Sequence, residues 1–552
     1  MEWSRMSNSD AFGELAWGEI DNLQFIPSAL SFLQEDPGAL YKFVLRAYPY
    51  YLSSEVTSHA FGELAFGDID QSADVVVVML SDHDLFDNEV EFDVRLMEAY
   101  NFAFSIPLPN DGVTGETAIG KITIANGDMR RDDLTRRQWD GINLELFVGG
   151  TFNKSLATEK TFTWPEYQKI TDLKCLGIEW TEDKITLAVS AQGAELESHF
   201  PCHIYGGTGG VDGNDQVEGQ PKPIVFGDVY NYSPKKIADH VYQITTIEAA
   251  NGTIATLVVR IDGVVQSNAG TTADPFTESA STGEYKTQLS TGLIYIEDDG
   301  QVTVDVIMSI TDAITIAKNI VSYCSSFDSG RISARGPLSY PIGIVFESDT
   351  TIEGALSEIC TGMGWFWFFN RDGLLEINEH ADPSTDDVDF TINEEDIISG
   401  SLERIATPQP VWEHRVAYKK NYSPQDPAAI DATVSEYERQ AFSEPFKYVV
   451  SQNTITKSQN SRAKQKTLLG FFKNKADAAT VSELMLARDR IRKSLYTMQL
   501  QRKFMILSPN NVIVVNHSRF SLGYNRGQVL KIEEVAETAL TTITVLLTEV
   551  AG

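Results

Sequence analysis

Apolar residues in this chain recur mainly at every second position, the period of a strand with one buried face. From about residue 73 the chain reads as strand after strand: a β-branched run at 75–80, an alternating run at 121–125 halted by Asn126-Gly127-Asp128, and a run at 142–148 that Gly149-Gly150 is expected to end. Further strands are expected at 254–261, 293–297 and 302–308, and near the C-terminus at 511–515, 528–535 and 541–547. Residues 206–219 are rich in glycine and polar residues and read as a loop, continued as an extended linker by Gln220-Pro221-Lys222-Pro223.

In three places the period shifts to that of a helix. Thr311-Asp312 can cap a helix over 313–323, with Ile314, Ala317, Ile320 and Val321 on one face. Thr350 or Thr351 can cap a second over 352–361, stopped by Gly362 and Gly364. The longest helix is expected at 475–496, with Val481, Leu484, Arg488, Ile491 and Leu495 on one stripe. Between them, residues 365–369 and 374–377 flank Asn370-Arg371-Asp372-Gly373 as a hairpin. The expected class is therefore mainly β with a few helices (α+β). It is multidomain, because one core rarely grows beyond roughly 250–300 residues and the chain has 552. Provisional domains are an N-terminal arm (1–72), two β-rich domains (73–222 and 223–310), a helix-plus-hairpin domain (311–400) and a β domain with one long helix (401–552).

Composition narrows the function. Hydrophobic residues make up 42% of the chain, enough for real cores, while 44 Lys and Arg against 78 Asp and Glu leave a net charge of −34. Such acidity repels phosphate backbones, so neither stable nucleic-acid binding nor an anionic-membrane surface is expected. No run approaches the length of a membrane-spanning helix. Met1–Arg5 lacks a secretory signal pattern, so synthesis in the cytoplasm is expected.

Candidate chemistry is sparse. The chain has no HExxH, GxSxG, Walker A loop or strand-linked GxGxxG, and it has only 8 histidines. No catalytic residue and no cofactor are expected. His199, Cys202 and His203 could supply three zinc ligands, but Pro201 bars the helix that would put both histidines on one face, so a local strand or loop is expected instead. The four cysteines, Cys175, Cys202, Cys324 and Cys360, form no CxxC pair. Buried free thiols are expected, with an iron–sulfur cluster on scattered cysteines left open. Asp212-Gly213-Asn214-Asp215 lacks the full ligand series of a calcium loop. Neighbouring acids such as Asp128, Asp132 and Asp133 read as a solvated face. Trp365 and Trp367 are candidate glycan-stacking residues, but with apolar residues on both faces of their strand, a core or subunit interface is favoured.

The N-terminal 70 residues carry a duplication: Ala11-Phe12-Gly13-Glu14-Leu15-Ala16-Trp17-Gly18 recurs as Ala60-Phe61-Gly62-Glu63-Leu64-Ala65-Phe66-Gly67. Two copies are too few for a solenoid. Phe12, Leu15, Trp17, Phe61, Leu64 and Phe66 are interface candidates, suited to like pockets on neighbouring subunits.

Several weak signatures then fall in a recognisable order. They are Tyr50-Tyr51-Leu52-Ser53-Ser54, the 120–128 strand with its Asn-Gly-Asp turn, Trp139-Asp140-Gly141-Ile142, and Tyr205-Gly206-Gly207-Thr208-Gly209-Gly210. Gly219–Pro223, Phe226-Gly227-Asp228-Val229-Tyr230-Asn231, residues 351–365, Asn370–Gly373, Ala487-Arg488 and 519–527 follow. Together they span roughly residues 45–550 and resemble the tail-tip or baseplate hub proteins of long-tailed (siphovirus-like) bacteriophages and gene transfer agents. The duplicated segment has no counterpart in that pattern. The resemblance implies small β-barrel and sandwich domains and a virion subunit at the distal tail. It also implies a homo-oligomer, a ring or trimer about the tail axis, joined to other tail proteins: distal tail and tube proteins, fibres and host-contact proteins. It implies no enzymatic activity. A receptor- or glycan-binding tail fibre or adaptor is the alternative reading, and a tail-associated cell-wall hydrolase a weaker one.

Overall fold

The computed structural model describes residues 40–47, 78–82, 92–98, 101–109, 111–154, 158–161, 167–190, 194–323, 327–335, 339–371, 373–504, 507–520, 522–535 and 540–549. The architecture is mainly β and multidomain, as the alternation implies.

In the N-terminal part, strands follow one another across one sheet in the order Asp93–Val94, Val78–Ser81, Leu40–Ala47, Asn143–Lys154, Gln168–Trp180, Lys184–Ser190, Ile122–Ala125 and Leu96–Glu98. Thr158–Thr161 adds to Asn143–Lys154. The two edges are consecutive pieces of chain separated only by Arg95. Its N–H donates to Ser81 O on one side (3.0 Å), and its carbonyl accepts from Ala125 N on the other (2.8 Å). The sheet therefore curls to a nearly closed barrel, which hides strand edges that would otherwise invite pairing with other chains. Leu45, Leu80, Ile122, Ile124, Leu144, Leu146, Leu187 and Trp139 fill its core. Gly149-Gly150 does not end its strand as expected. Pairing with Leu40–Ala47 continues through both glycines, Lys42 opposite Gly149 and Tyr41 opposite Gly150.

Next comes a sandwich. One sheet has the order Val264–Val265, Ile254–Ile261, Val302–Met308, Ile224–Tyr232, Gly343–Phe346; the other runs Lys235–Ala238, Val241–Gln243, Leu293–Ile296, Glu284–Gln288, Ser267–Thr271. Their inner faces share Val225, Val229, Val259, Val304, Ile294 and Ile296.

The helical centre follows. Helix α1 (Ala313–Tyr323) is capped by Asp312, whose carboxylate accepts from Thr315 N at 2.9 Å. Its buried face uses Ile316 rather than Ile314. Helix α2 (Ile352–Met363) starts at Thr351, whose hydroxyl accepts from Gly354 N, and ends at Gly364 in the left-handed conformation. Gly362 lies inside α2 instead of stopping it: a Cβ there would sit 2.3 Å from the Phe471 ring, so the glycine serves close packing. Trp365–Phe369 pairs antiparallel with Leu375–Glu379, the expected hairpin, with every residue of the first strand buried.

Beyond it, Lys447–Gln452, Val411–Tyr418 and Lys464–Phe472 form a three-stranded sheet against which helix α3 (Lys475–Asp489) packs. The helix expected to reach residue 496 stops at Asp489. From Lys493 the chain is a strand in which Ser494, Tyr496, Met498 and Leu500 face inward alternately, paired along its length with Leu540–Thr548. That period of two prevails over the extrapolated stripe, and Leu484, assigned to the stripe, is half exposed. The last sheet runs Phe390–Asn393, Val512–His517, Leu522–Val535, Leu540–Thr548, Lys493–Gln501, Glu403–Ala406. Among the described residues, no helix is long and apolar enough to cross a membrane.

Candidate functional site

Residues far apart in sequence are tied together by shared strands. Asn101–Ser105, from the N-terminal part, adds to Leu522–Val535 of the last sheet, with Phe104 opposite Ile532. His199–Phe200 pairs with Thr350–Thr351, and Ile224–Gly227 with Gly343–Phe346. Isolated bridges join Thr114 to Trp367, Tyr230 to Asn421 and Ile342 to Phe472. Distant described segments are thus fastened to one another by main-chain hydrogen bonds.

Several of the ordered sequence signatures hold segments together, while Tyr50-Tyr51-Leu52-Ser53-Ser54 lies outside the described residues. Asp128, in the Asn-Gly-Asp turn, accepts two hydrogen bonds from the Arg95 guanidinium, both 2.6 Å, at the barrel seam. The Arg95 hydrogen bond holds Asp128 well below the usual carboxylate range. In the glycine loop, Tyr205 is fully buried and donates to Gln243 Oε1 (2.6 Å). Lys222 Nζ lies over the Tyr205 ring and donates to Asp212 Oδ1 (3.0 Å), which pins the loop to the sandwich. Gly227 has φ +73°, and a Cβ there would meet Ile342 O at 1.8 Å, so this crossing accepts only glycine. Asn231 donates to Asn421 Oδ1 (2.8 Å) and Ser423 O (2.9 Å), linking the sandwich to the segment that follows Val411–Tyr418. Arg371, at the hairpin tip, pairs with buried Glu534 of the last sheet and packs over Phe104 of the inserted strand.

The three candidate zinc ligands are not brought together, and His199–Phe200 is the local strand expected instead. His199 is exposed and bonds Asp349 Oδ1 (3.1 Å), His203 faces Glu248 (3.3 Å), and Cys202 is disulfide-bonded. The disulfide corrects the expectation of free thiols at this position and removes Cys202 from any cluster. Cys175 and Cys360 are free and buried, and Cys324 lies outside the described residues. No group of three or more metal-capable side chains occurs among the described residues. Asp128, Asp132 and Asp133 go to separate partners, Arg95, Asn126 and Arg137, rather than to one another. Asp212 bonds a lysine rather than forming part of a calcium loop.

Trp365 and Trp367 are 1% and 4% exposed, and their indole N–H groups donate to Glu379 and Ser357. Neither ring offers a face to a sugar. The interface candidates Phe12, Leu15, Trp17, Phe61, Leu64 and Phe66 lie outside the described residues. Sequence reasoning missed a buried polar knot in which Asp489 accepts from Arg488 (2.7 Å) and bonds His414 Nε2 (3.0 Å). His414 and Asp489 are separated along the chain by most of the three-stranded sheet and α3, so no local pattern announces their meeting.

No family model and no curated protein matches this chain. Among solved structures it is similar to a tail protein from Neisseria meningitidis MC58 (10% identity, TM-score 0.38, covering 82% of this chain and 91% of that one). It is similar to a chain of the native gene transfer agent virion (13% identity, TM-score 0.40, 60% and 85% covered). It is also similar to the 43 kDa tail protein of prophage MuSo2 from Shewanella oneidensis (9% identity, TM-score 0.38, 92% and 98% covered). Scores this low fall short of a shared fold, and the likeness stands as a similarity to tail and virion proteins.

Proposed function

We propose that this chain is a structural subunit of a phage-type tail, of the hub kind found at the tail tip or baseplate, joining tail tube, fibres and host-contact proteins. The observation that carries the reading is where the signature residues lie. Asp128, Tyr205, Gly227, Asn231 and Arg371 sit at fastenings between segments rather than around a shared acid–base centre. A subunit that transmits load between neighbours needs rigid junctions, and strand sharing supplies them. The near-closed barrel favours the same role, since closure leaves association to designed surfaces rather than open strand edges.

In this role the chain is a homo-oligomer about the tail axis, in the virion, in contact with distal tail and tube proteins. Antibody raised against it and imaged on purified particles should decorate the end of the tail away from the head. Label along fibres alone, or none on the particle, would overturn the hub reading. Light scattering on the isolated chain should return a multiple of 61.2 kDa; a stable monomer counts against the ring.

A further inference from the structure

Between the sandwich and the three-stranded sheet lies a cleft of about 560 Å³ whose charge runs against the rest of the molecule. Its walls carry five cationic side chains against three carboxylates, in a chain whose net charge is −34. Two of the cations are already matched: Arg260 pairs with Asp305 (2.7 Å) and Lys473 with Asp228. Lys419, Lys420 and Lys447 have no ion pair among the described residues.

Each of these three cations stands beside a ring, with the Glu358 carboxylate also near Lys420 and Asp305 and Asp228 near Lys419. Lys419 Nζ lies 4.1 Å from the Tyr230 centroid, and Lys420 Nζ 4.4 Å from Tyr422 and 4.9 Å from Phe471. Lys447 is 5.6 Å from Tyr437, a ring 74% exposed at the mouth. Burial pushes the Lys419 and Lys420 amines down from their ordinary values. Their charges are held at a cost that an incoming anion would offset.

We propose that this cleft binds an acidic carbohydrate, a sugar ring carrying carboxylate or phosphate. The lysines neutralise its charge, Tyr437 covers an apolar ring face, and the Thr256 hydroxyl and Asn474 amide are within the lining for its hydroxyls. The volume suits a unit of one to a few sugars, and a position between domains is where such sites commonly form. An acidic peptide is the competing occupant, without the use for the exposed Tyr437 face that a sugar ring has. Extended peptides are captured by adding to a free strand edge; Val302–Met308, at the centre of the floor, is paired on both sides, whereas Ile254–Ile261 meets its outer neighbour only at Arg260 and Ile261, so oligoglutamate belongs in the titration.

This inference goes beyond the structural role and does not depend on it, because binding is read on the isolated chain and position on the particle. The purified full-length chain is titrated calorimetrically at low salt with trigalacturonate, glucose 6-phosphate, maltotriose and oligoglutamate. The two acidic sugars bind and maltotriose does not; which acidic sugar binds more tightly identifies carboxylate or phosphate as the natural charge. Lys420→Met and Lys447→Met each weaken binding about tenfold, the scale of one lost charge contact. Tyr437→Ala, a change at an exposed position that leaves the fold intact, weakens binding of the sugars without altering the melting temperature. Equal binding of maltotriose, tighter binding of oligoglutamate, no binding of either acidic sugar, or indifference to all three substitutions overturns the proposal.

Discussion

At the scale of single residues, two glycines with nearly the same backbone separate conformational strain from collision. Gly219 has φ +74° with nothing within 4 Å of the place a Cβ would occupy, whereas Gly227 at φ +73° would drive a Cβ into the Ile342 carbonyl. Gly219→Ala should therefore cost only the left-handed penalty, about 1–2 kcal/mol. Gly227→Ala adds a clash with main chain that no rotamer change relieves, on top of that penalty, and should lower stability further, on the order of 3 kcal/mol or above. Urea unfolding of the two variants side by side measures the difference; equal losses would mean that the strand crossing at Ile342 is soft.

At the scale of elements, the local caps were legible and the long-range joins were not. Thr351 caps α2 as its position before an apolar stripe implies, and Thr351→Ala should cost about 1 kcal/mol in thermal or denaturant unfolding, with Thr351→Ser near neutral. A loss much below that would show that α2 is held by its buried face alone. Strands at 254–261 and 302–308, helix α1 and the 365–379 hairpin were readable because each is decided by its own period and turn residues. Helix α3 was overrun because Arg488, Ile491 and Leu495 continue a helical spacing, while the alternation of Ser494, Tyr496, Met498 and Leu500 is satisfied only by a partner strand from 540–548. The cleft shows the same limit. Lys419-Lys420 is a visible dibasic step, but the rings and the other cations around it come from segments as distant as Tyr230 and Arg260, and no local pattern forecasts that assembly. The tryptophan run was legible as apolar on both faces, and its burial follows from that.

At the scale of the whole molecule, the cores set the response to alkali. Tyr205, Tyr232 and Tyr422 have hydroxyls pushed above the ordinary value of 10.0 chiefly by burial, and Tyr230 is raised to about 12 for the same leading reason. A phenol that ionises later in the folded chain than in the unfolded one keeps more protons when folded. Its contribution to stability is therefore complete below pH 10 and is lost as pH rises from there toward the folded value. Lys493, which burial pushes down to about 8, works in the opposite sense between pH 8 and 10.5, since the folded chain releases that proton first. The tyrosines are several and their window lies higher, so a modest rise or plateau near pH 9 should give way to steep loss above pH 10. All four rings lie in or against the sandwich: Tyr205 pins the glycine loop, Tyr230 and Tyr232 are on its strand Ile224–Tyr232 and Tyr422 donates to Gly343 O (2.7 Å), whereas one phenol raised by burial, Tyr167, packs on the barrel. The sandwich should consequently fail before the barrel. Melting followed by the 295 nm tyrosinate absorbance and by hydrogen exchange at pH 9 and 11 resolves the order. Exchange rising first in the barrel strands, or a melting temperature unchanged across that interval, would show that these phenols are not what limits the fold.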